Sequence, residues 1–376
     1  MKFKIKVSEL KKWLSIVNHA ISSITTTPIL ENILIKVNYN NIVLTSNNLE
    51  MAIEYVIDEN IKIEKEWTIC IPSKLFSSYI WLIQDEELNI SSDDKLNLSI
   101  ENEYSKIKIK WLSAEDFPLI PNIKEDKKVL IKWSILKKSI EKTLFSTAEW
   151  NIRPNLAGIY TSIEWEKISF ASTDSYRMSE YINYLEQNLN WENISCIIPN
   201  KTTYELKSTI EDNDQVKIVL SDNQIAFLFW KTKIYSRLLN WKFPDYKVFF
   251  PNSYSTKVEL NRIDLINALR KINLISKENN YSIKISFSSE NWILIESNET
   301  QIWEWSIKIN WNIEWEDNII WINSTYFLEV LWVIEDSHIE ISFESALSQI
   351  SIKPITDEKK KEDKSEFRHI IMPLKI

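Results

Sequence analysis

Apolar and charged residues alternate through FKIKV (3–7), the period-two pattern of a strand with one buried face. Directly after it, SELKKWL sets Leu10 and Leu14 four apart, the spacing of a helix that buries one stripe. The same switch recurs at VLIKWSILKKSI (129–140), with Leu136 and Ile140, and at VELNRIDLINAL (258–269), with Leu265 and Leu269. LTSNNLEMAIEYVI (44–57), FASTDSYRMSEYIN (170–183) and IESNETQIWEWSIKI (295–309) each read strand, short polar turn, strand. ICIPSKLFSSYIWLIQDEELNIS (69–91), CIIPNKTTYELKSTIEDNDQVKIVLS (196–221) and IIWINSTYFLEVLWVIEDSHIEISF (319–343) each read strand, cap, helix, polar turn, strand. WLSAEDFPLIP (111–121) and LLNWKFPDYKVFFP (238–251) close the first two units with one motif. The pattern predicts three copies of one α+β unit, over 1–125, 126–253 and 254–376. Each copy carries two helices and many antiparallel strands.

Composition changes this picture at one point. Among 376 residues there is one Gly, Gly158, and there are 17 Trp. Ordinary Gly usage of about 7% would supply roughly 26. Pressure toward AT-rich codons would deplete both residues, so a deficit of one beside an excess of the other needs another cause. Trp241, in LLNWKF, stands in a turn where positive φ favours Gly. No run of eighteen uncharged apolar residues exists, so no membrane span is expected, and MKFKIKVSEL is no signal peptide. Cys70 and Cys196 lie in apolar strand-like runs and read as buried, reduced core residues of a cytoplasmic protein.

The net charge is −8, which by itself argues against a nucleic-acid partner. The basic residues are nevertheless concentrated on the helices. The first helices carry Lys11 and Lys12, then Lys137, Lys138 and Lys142, then Arg262, Arg270 and Lys271; the second helices add Lys74, Lys201 and Lys207. If these helices share one surface, an acidic protein presents a basic face suited to phosphates without base readout. Ordinary solvated helix exteriors are the competing explanation. TDEKKKEDKSEFRH (356–369) reads as a solvated loop.

Catalytic chemistry finds little support. His19, His338 and His369 are scattered, no metal-ligand spacing is present, and no serine has a histidine placed to activate it. Trp230-Lys231-Thr232 would mimic the end of a P-loop only if Trp were Gly, and Ile225 then occupies its first glycine position. No catalytic residue, metal or cofactor is expected.

TPILENILI (27–35), STDSYRMS (172–179), FPDYK (243–247), INSTYFLEVL (322–331) and the terminal MPLKI together resemble the bacterial sliding clamp family, the beta subunit of DNA polymerase III. The resemblance runs from MKFKIKVSELKKWL to HIIMPLKI. It implies three domains of the DNA clamp fold, forming half of a ring that two chains close head to tail. It also implies helices lining the hole, sliding on encircled duplex DNA, and tethering of the polymerase catalytic subunit, the clamp loader and other proteins through clamp-motif peptides. The peptide groove carried over by position comprises Arg153, Leu156, Thr173, Ser175, Tyr176, Arg177, Met178, Pro244, Val248, Phe249, Asn323, Tyr326, Leu347, Ile370, Met372, Pro373 and Leu374. In it the apolar residues would form the pocket, while Arg153, Arg177 and Asn323 would fix a peptide's polar groups. Subunit contact would fall on Leu274 and Ile275 against Ile107. Val248 replaces a base common in relatives; Ile24 stands where some have Arg, and Trp150, Pro154 and Asn155 lack a stacking Tyr pair. A nuclease or polymerase subunit with its own active site, or a peptide-binding adaptor that never meets DNA, are the alternatives.

The resemblance also places Gly at Trp241, Trp81, Trp165, Trp230 and Trp321, and at Trp67 and Trp111. Reading UGA as Gly in the cell, but as Trp in translation of the gene, accounts for both halves of the composition anomaly.

Overall fold

The computed structural model describes residues 1–22, 25–84, 87–121, 123–125, 127–185, 193–210, 215–251, 253–288, 292–297, 306–310 (backbone only), 317–355 and 364–375. Ile24 and most of the 356–369 run lie outside the described residues. Six helices of ten residues or more are present among those described: α1 (Val7–Val17), α2 (Ser73–Leu82), α3 (Trp133–Thr143), α4 (Asn200–Thr209), α5 (Arg262–Ser276) and α6 (Ser324–Val333). That is two per expected copy. α1 buries Val7, Leu10, Trp13, Leu14 and Val17, one stripe at helical spacing. α5 starts where Asn261 Oδ1 accepts from the N–H groups of Ile263 and Asp264, and α6 where Asn323 Oδ1 accepts from that of Thr325.

The chain divides into two compact units, 1–134 with 204–238, and 135–203 with 239–376. The first holds a five-stranded antiparallel sheet in the order Ile61–Lys65, Lys2–Lys6, Glu87–Ser92, Asn97–Glu101, Lys106–Lys110. Its eight-stranded sheet runs Lys127–Lys132, Gln215–Leu220, Gln224–Phe229, Thr232–Arg237, Met51–Ile57, Asn41–Asn47, Asn32–Asn38, Trp67–Pro72. The second unit's eight-stranded sheet runs Ile194–Pro199, Gly158–Glu164, Lys167–Thr173, Arg177–Tyr184, Glu366–Ile371, Ile350–Ile355, His338–Phe343, Thr256–Asn261. Its four-stranded sheet runs Ser306–Asn310, Trp292–Ser297, Ser282–Ser288, Asn318–Asn323.

The repeat explains these orders. Each eight-stranded sheet joins four strands of one copy to four of the next, so the middle copy is shared between the units. The seam pairs Ser236 with Met51 in one unit and Ile371 with Arg177 in the other. Lys106–Lys110 and Ser306–Asn310 occupy the corresponding places in the first and third copies, and among the described residues both are edge strands.

The third copy buries Leu265, Leu269 and Ile272 of α5 and Phe327 and Leu331 of α6 together with Ile283, Ile285, Ile320 and Ile322 of its four-stranded sheet. Gly158 is required by close approach, since a Cβ there would lie 2.6 Å from the Ile198 carbonyl oxygen. Trp165 (φ 55°) and Trp230 (φ 43°) are left-handed, whereas Trp241 is not, contrary to the expectation for that turn. Both left-handed Trp residues occupy the first central position of a two-residue hairpin, between paired Glu164 and Lys167 and between paired Phe229 and Thr232. That position favours Gly. Trp13 and Trp133, by contrast, are core side chains. Cys70 is buried and its thiol is pushed up to about 12 by burial, whereas Cys196, on Ile194–Pro199, is only half-buried.

Candidate peptide groove and basic helices

All seventeen proposed groove residues fall within the second unit. The turn joining Lys167–Thr173 to Arg177–Tyr184 is built by its own side chains. Asp174 Oδ1 accepts from the N–H groups of Tyr176 (2.8 Å) and Arg177 (3.0 Å). Thr173 Oγ1 accepts from Ser175 N–H (3.0 Å), and Ser175 takes φ 78°. Such Asx and hydroxyl turns fix a loop without help from a core. The C-terminal segment is laid beside it: Met372 N–H donates to Tyr176 O (2.8 Å), and Leu374 N–H to Trp321 O (2.7 Å).

The floor is apolar. Leu156, Met178 and Ile370 are buried together with Phe243, Tyr246 and Phe250. Above them Tyr176, Val248, Phe249 and Met372 expose large apolar surface, and Pro244 is exposed too. Val248 and Phe249 belong to the single turn Tyr246–Phe249, anchored through buried Tyr246. Pro373, Leu374 and Thr173 are half-buried. Leu347 is exposed in the turn that precedes Ile350–Ile355. Tyr176 and Tyr326 stack with centroids 6.4 Å apart. A cluster of exposed apolar side chains over a preformed apolar floor is what a docking site for a short peptide needs.

Two of the three expected polar anchors are already engaged. Arg177 is nearly buried: Nε donates to Asp174 Oδ2 (3.1 Å), Nη2 to Phe145 O (2.7 Å), and Nη1 pairs with Glu329. Its guanidinium lies 4.4 Å from the centroid of the Tyr326 ring. It ties the turn to α6 and leaves little to offer a ligand. Asn323 is the N-cap of α6, and its Nδ2 donates to Asn280 O (3.4 Å). Arg153 remains half-buried, over the Tyr176 ring at 5.5 Å, with Nη1 donating to Asp174 O (3.3 Å). It is the cation best placed to meet a peptide.

Sequence reasoning missed the charged support beneath the floor. Buried Glu180 accepts from Tyr246 Oη (2.8 Å) and from Arg368 Nε (2.8 Å). Burial, and then Glu180, raise the Tyr246 phenol well above its ordinary value, so it stays a donor. His369 is fully buried, with Nδ1 2.8 Å from Ser179 Oγ and Nε2 without a partner. Burial, then Arg177, hold its imidazole well below the usual range. In sequence Glu180, Arg368 and His369 are ordinary strand positions; only the pairing of Arg177–Tyr184 with Glu366–Ile371 brings them together.

The basic helix residues divide into two sets. Lys142 corrects the expectation, because it is buried: its ammonium donates to Val333 O at the C-terminal end of α6, and burial lowers its pKa. Lys11 Nζ donates to Ile83 O (2.7 Å) just past α2, and Arg262 donates to Leu331 O (3.1 Å) and Asp336 O (2.8 Å) around the end of α6. Cations at helix C-termini satisfy orphan carbonyls and complement the dipole. Lys74, Lys201, Lys207, Arg270 and Lys271 are exposed, while Lys12, Lys137 and Lys138 are half-buried. Of the expected subunit contacts, Leu274 is 82% exposed on α5, Ile275 is half-buried, and Ile107 is half-buried on the edge strand Lys106–Lys110. No helix among the described residues is long and apolar enough to cross a membrane.

Known proteins carry the same plan. The family models for the N-terminal, central and C-terminal domains of the DNA polymerase III beta subunit match residues 1–121, 130–245 and 247–374. The beta sliding clamp of Staphylococcus epidermidis is 28% identical over 367 residues, covering 95% of this chain and 97% of its own. That of Staphylococcus aureus is 26% identical over the same shares. The crystal structure of the DNA polymerase sliding clamp from Bacillus subtilis superposes with a TM-score of 0.94 at 26% identity, covering 100% of this chain and 99% of that one. With three domain models in order along nearly its whole length, the chain belongs to the DNA polymerase III beta subunit family, the sliding clamps.

Proposed function

We propose that two copies of this chain close head to tail around duplex DNA and hold replication proteins there through peptides seated in the Arg153 groove. One observation carries this reading. Seams join the first copy to the second and the second to the third, but their counterpart strands, Lys106–Lys110 and Ser306–Asn310, are edges among the described residues. An exposed edge is a template for pairing, and a second copy can cap both edges at once. Leu274, exposed on α5, would flank that contact, as would Ile107. Three domains, 1–125, 126–253 and 254–376, then become six in the closed assembly.

In this reading Lys74, Lys201, Lys207, Arg270 and Lys271 face the phosphates, with Lys12, Lys137 and Lys138 beside them. Contact is then sequence-independent. The protein is an accessory subunit without a catalytic centre or cofactor of its own, working in the cytoplasm. Leu274→Asp tests the closure, since it places a charge where the reading needs an apolar contact. Sedimentation should show the parent as a dimer and the variant shifted to monomer. A variant that stays dimeric at the same concentration would refute the proposed contact.

A further inference from the structure

We infer that the first unit holds a second peptide-docking groove, the repeat counterpart of the Arg153 groove, suited to a short extended segment with an apolar side chain next to a carboxylate. An open cavity of about 170 Å³ lies there, lined by the turn after Asn41–Asn47, the Pro118–Pro121 segment and the end of Thr232–Arg237. Its turn repeats the side-chain-to-backbone N–H bonds of the other one. Asn48 Oδ1 accepts from the N–H groups of Glu50 (3.1 Å) and Met51 (2.8 Å), as Asp174 does from Tyr176 and Arg177. Asn47 Oδ1 accepts from Leu49 N–H (2.7 Å), and Leu49 takes φ 71° where Ser175 takes 78°. Arg237 N–H donates to Glu50 O (2.9 Å), as Met372 N–H does to Tyr176 O.

The chemistry of the lining is exchanged between the two. Where the Arg153 groove has tied-down Arg177, this cavity has buried Met51; where that groove has Met372, this one has Arg237. Arg237 is exposed, and its guanidinium has no partner among the described residues. Leu119, 92% exposed, supplies the apolar rim. A free guanidinium beside apolar surface selects a carboxylate carried next to an apolar side chain. A ligand of the Arg153 groove is not expected to fit equally well, because the available cation is Arg237, at the end of Thr232–Arg237, rather than Arg153.

The inference rests on reading the Arg153 groove as a peptide site, and the four methionines allow the two readings to fail separately. Met51 reports the new cavity, Met178 and Met372 report the Arg153 groove, and buried Met1 is the reference. The full chain, carrying ¹³C-methyl methionine, is titrated with the acetylated, amidated peptide Leu-Glu-Leu-Leu-Asp. The Met51 signal should move saturably. Arg237→Ala should weaken that response about tenfold, the loss expected for one charge-assisted bond, and leave any Met178 and Met372 response unchanged. Leu119→Ser, on the exposed rim, should weaken it as well. Movement of Met178 and Met372 alone would overturn the second groove while sparing the first. Silence of Met51, or a Met51 response indifferent to both substitutions, would overturn it also.

Discussion

Replacing Trp165 by Gly should stabilise the protein, although it removes a large aromatic side chain. Trp165 is left-handed, at φ 55°, in the first central position of a two-residue hairpin. Left-handed backbone costs a residue with a Cβ about 1–2 kcal/mol. Gly returns about 0.5–1 kcal/mol of that through the greater freedom of its unfolded chain. The side chain is 74% exposed, so little apolar burial is lost. The net gain is about 0.5–1 kcal/mol, or roughly 1–4 °C in the midpoint of the transition of that unit. Thermal unfolding followed by circular dichroism, with Trp165→Ala as control, reads it directly. Ala keeps the Cβ and the strain, so it should gain nothing. Trp230→Gly relieves the same strain but loses an edge contact to Tyr55 (5.9 Å) and the cation contact with Lys12 (4.6 Å), each worth about 1 kcal/mol, and should end about 1 kcal/mol less stable than its parent. A Trp165→Gly variant less stable than its parent, or no better than Trp165→Ala, would refute the reasoning.

Three further outcomes are expected. Peptide mass spectrometry of the protein isolated from its own cells should read Gly at 165 and 230; Trp at both would remove the recoding explanation of a chain with 17 Trp and one Gly. His369 is buried neutral with a lowered pKa, so the unfolded chain takes up its proton first. Stability is therefore fully present above about pH 6.5 and falls as pH drops below it, by up to about 1.4 kcal/mol per unit, and urea midpoints of His369→Asn should lose that dependence. Arg177→Ala cuts the ties to Asp174, Glu329 and the Phe145 carbonyl and should cost about 2 kcal/mol or more in urea unfolding, with weaker peptide binding in the Arg153 groove by fluorescence anisotropy.

Local pattern made much of the fold legible. Alternation in FKIKV and the Leu10–Leu14 spacing each announce an element by period alone, and the three copies repeat them. The seams were not legible, because no single strand records that Ser236 will pair with Met51, or Ile371 with Arg177. Within the groove, the apolar floor of Leu156, Met178 and Ile370 follows from residue type. The fate of a cation does not. Arg153 and Arg177 look alike in sequence, yet one is offered to the surface and the other is consumed by three neighbours. Lys142 misleads for the same reason: a lysine in an apparent basic stripe is drawn inward by a helix C-terminus that lies 191 residues away in the chain. The Trp241 turn misleads differently. Its neighbours suggest left-handed backbone, but the strain falls at Trp165 and Trp230, where hairpins of two residues leave no alternative.

Retention on DNA of defined topology tests the central claim most directly. The protein is assembled on nicked circular plasmid, challenged with high salt, and separated from free chain by gel filtration before and after a single restriction cut. Encirclement predicts that it stays on the circle in salt and is lost once the DNA is linear. Loss from both forms as salt rises would mean attachment through phosphates alone and would contradict the account.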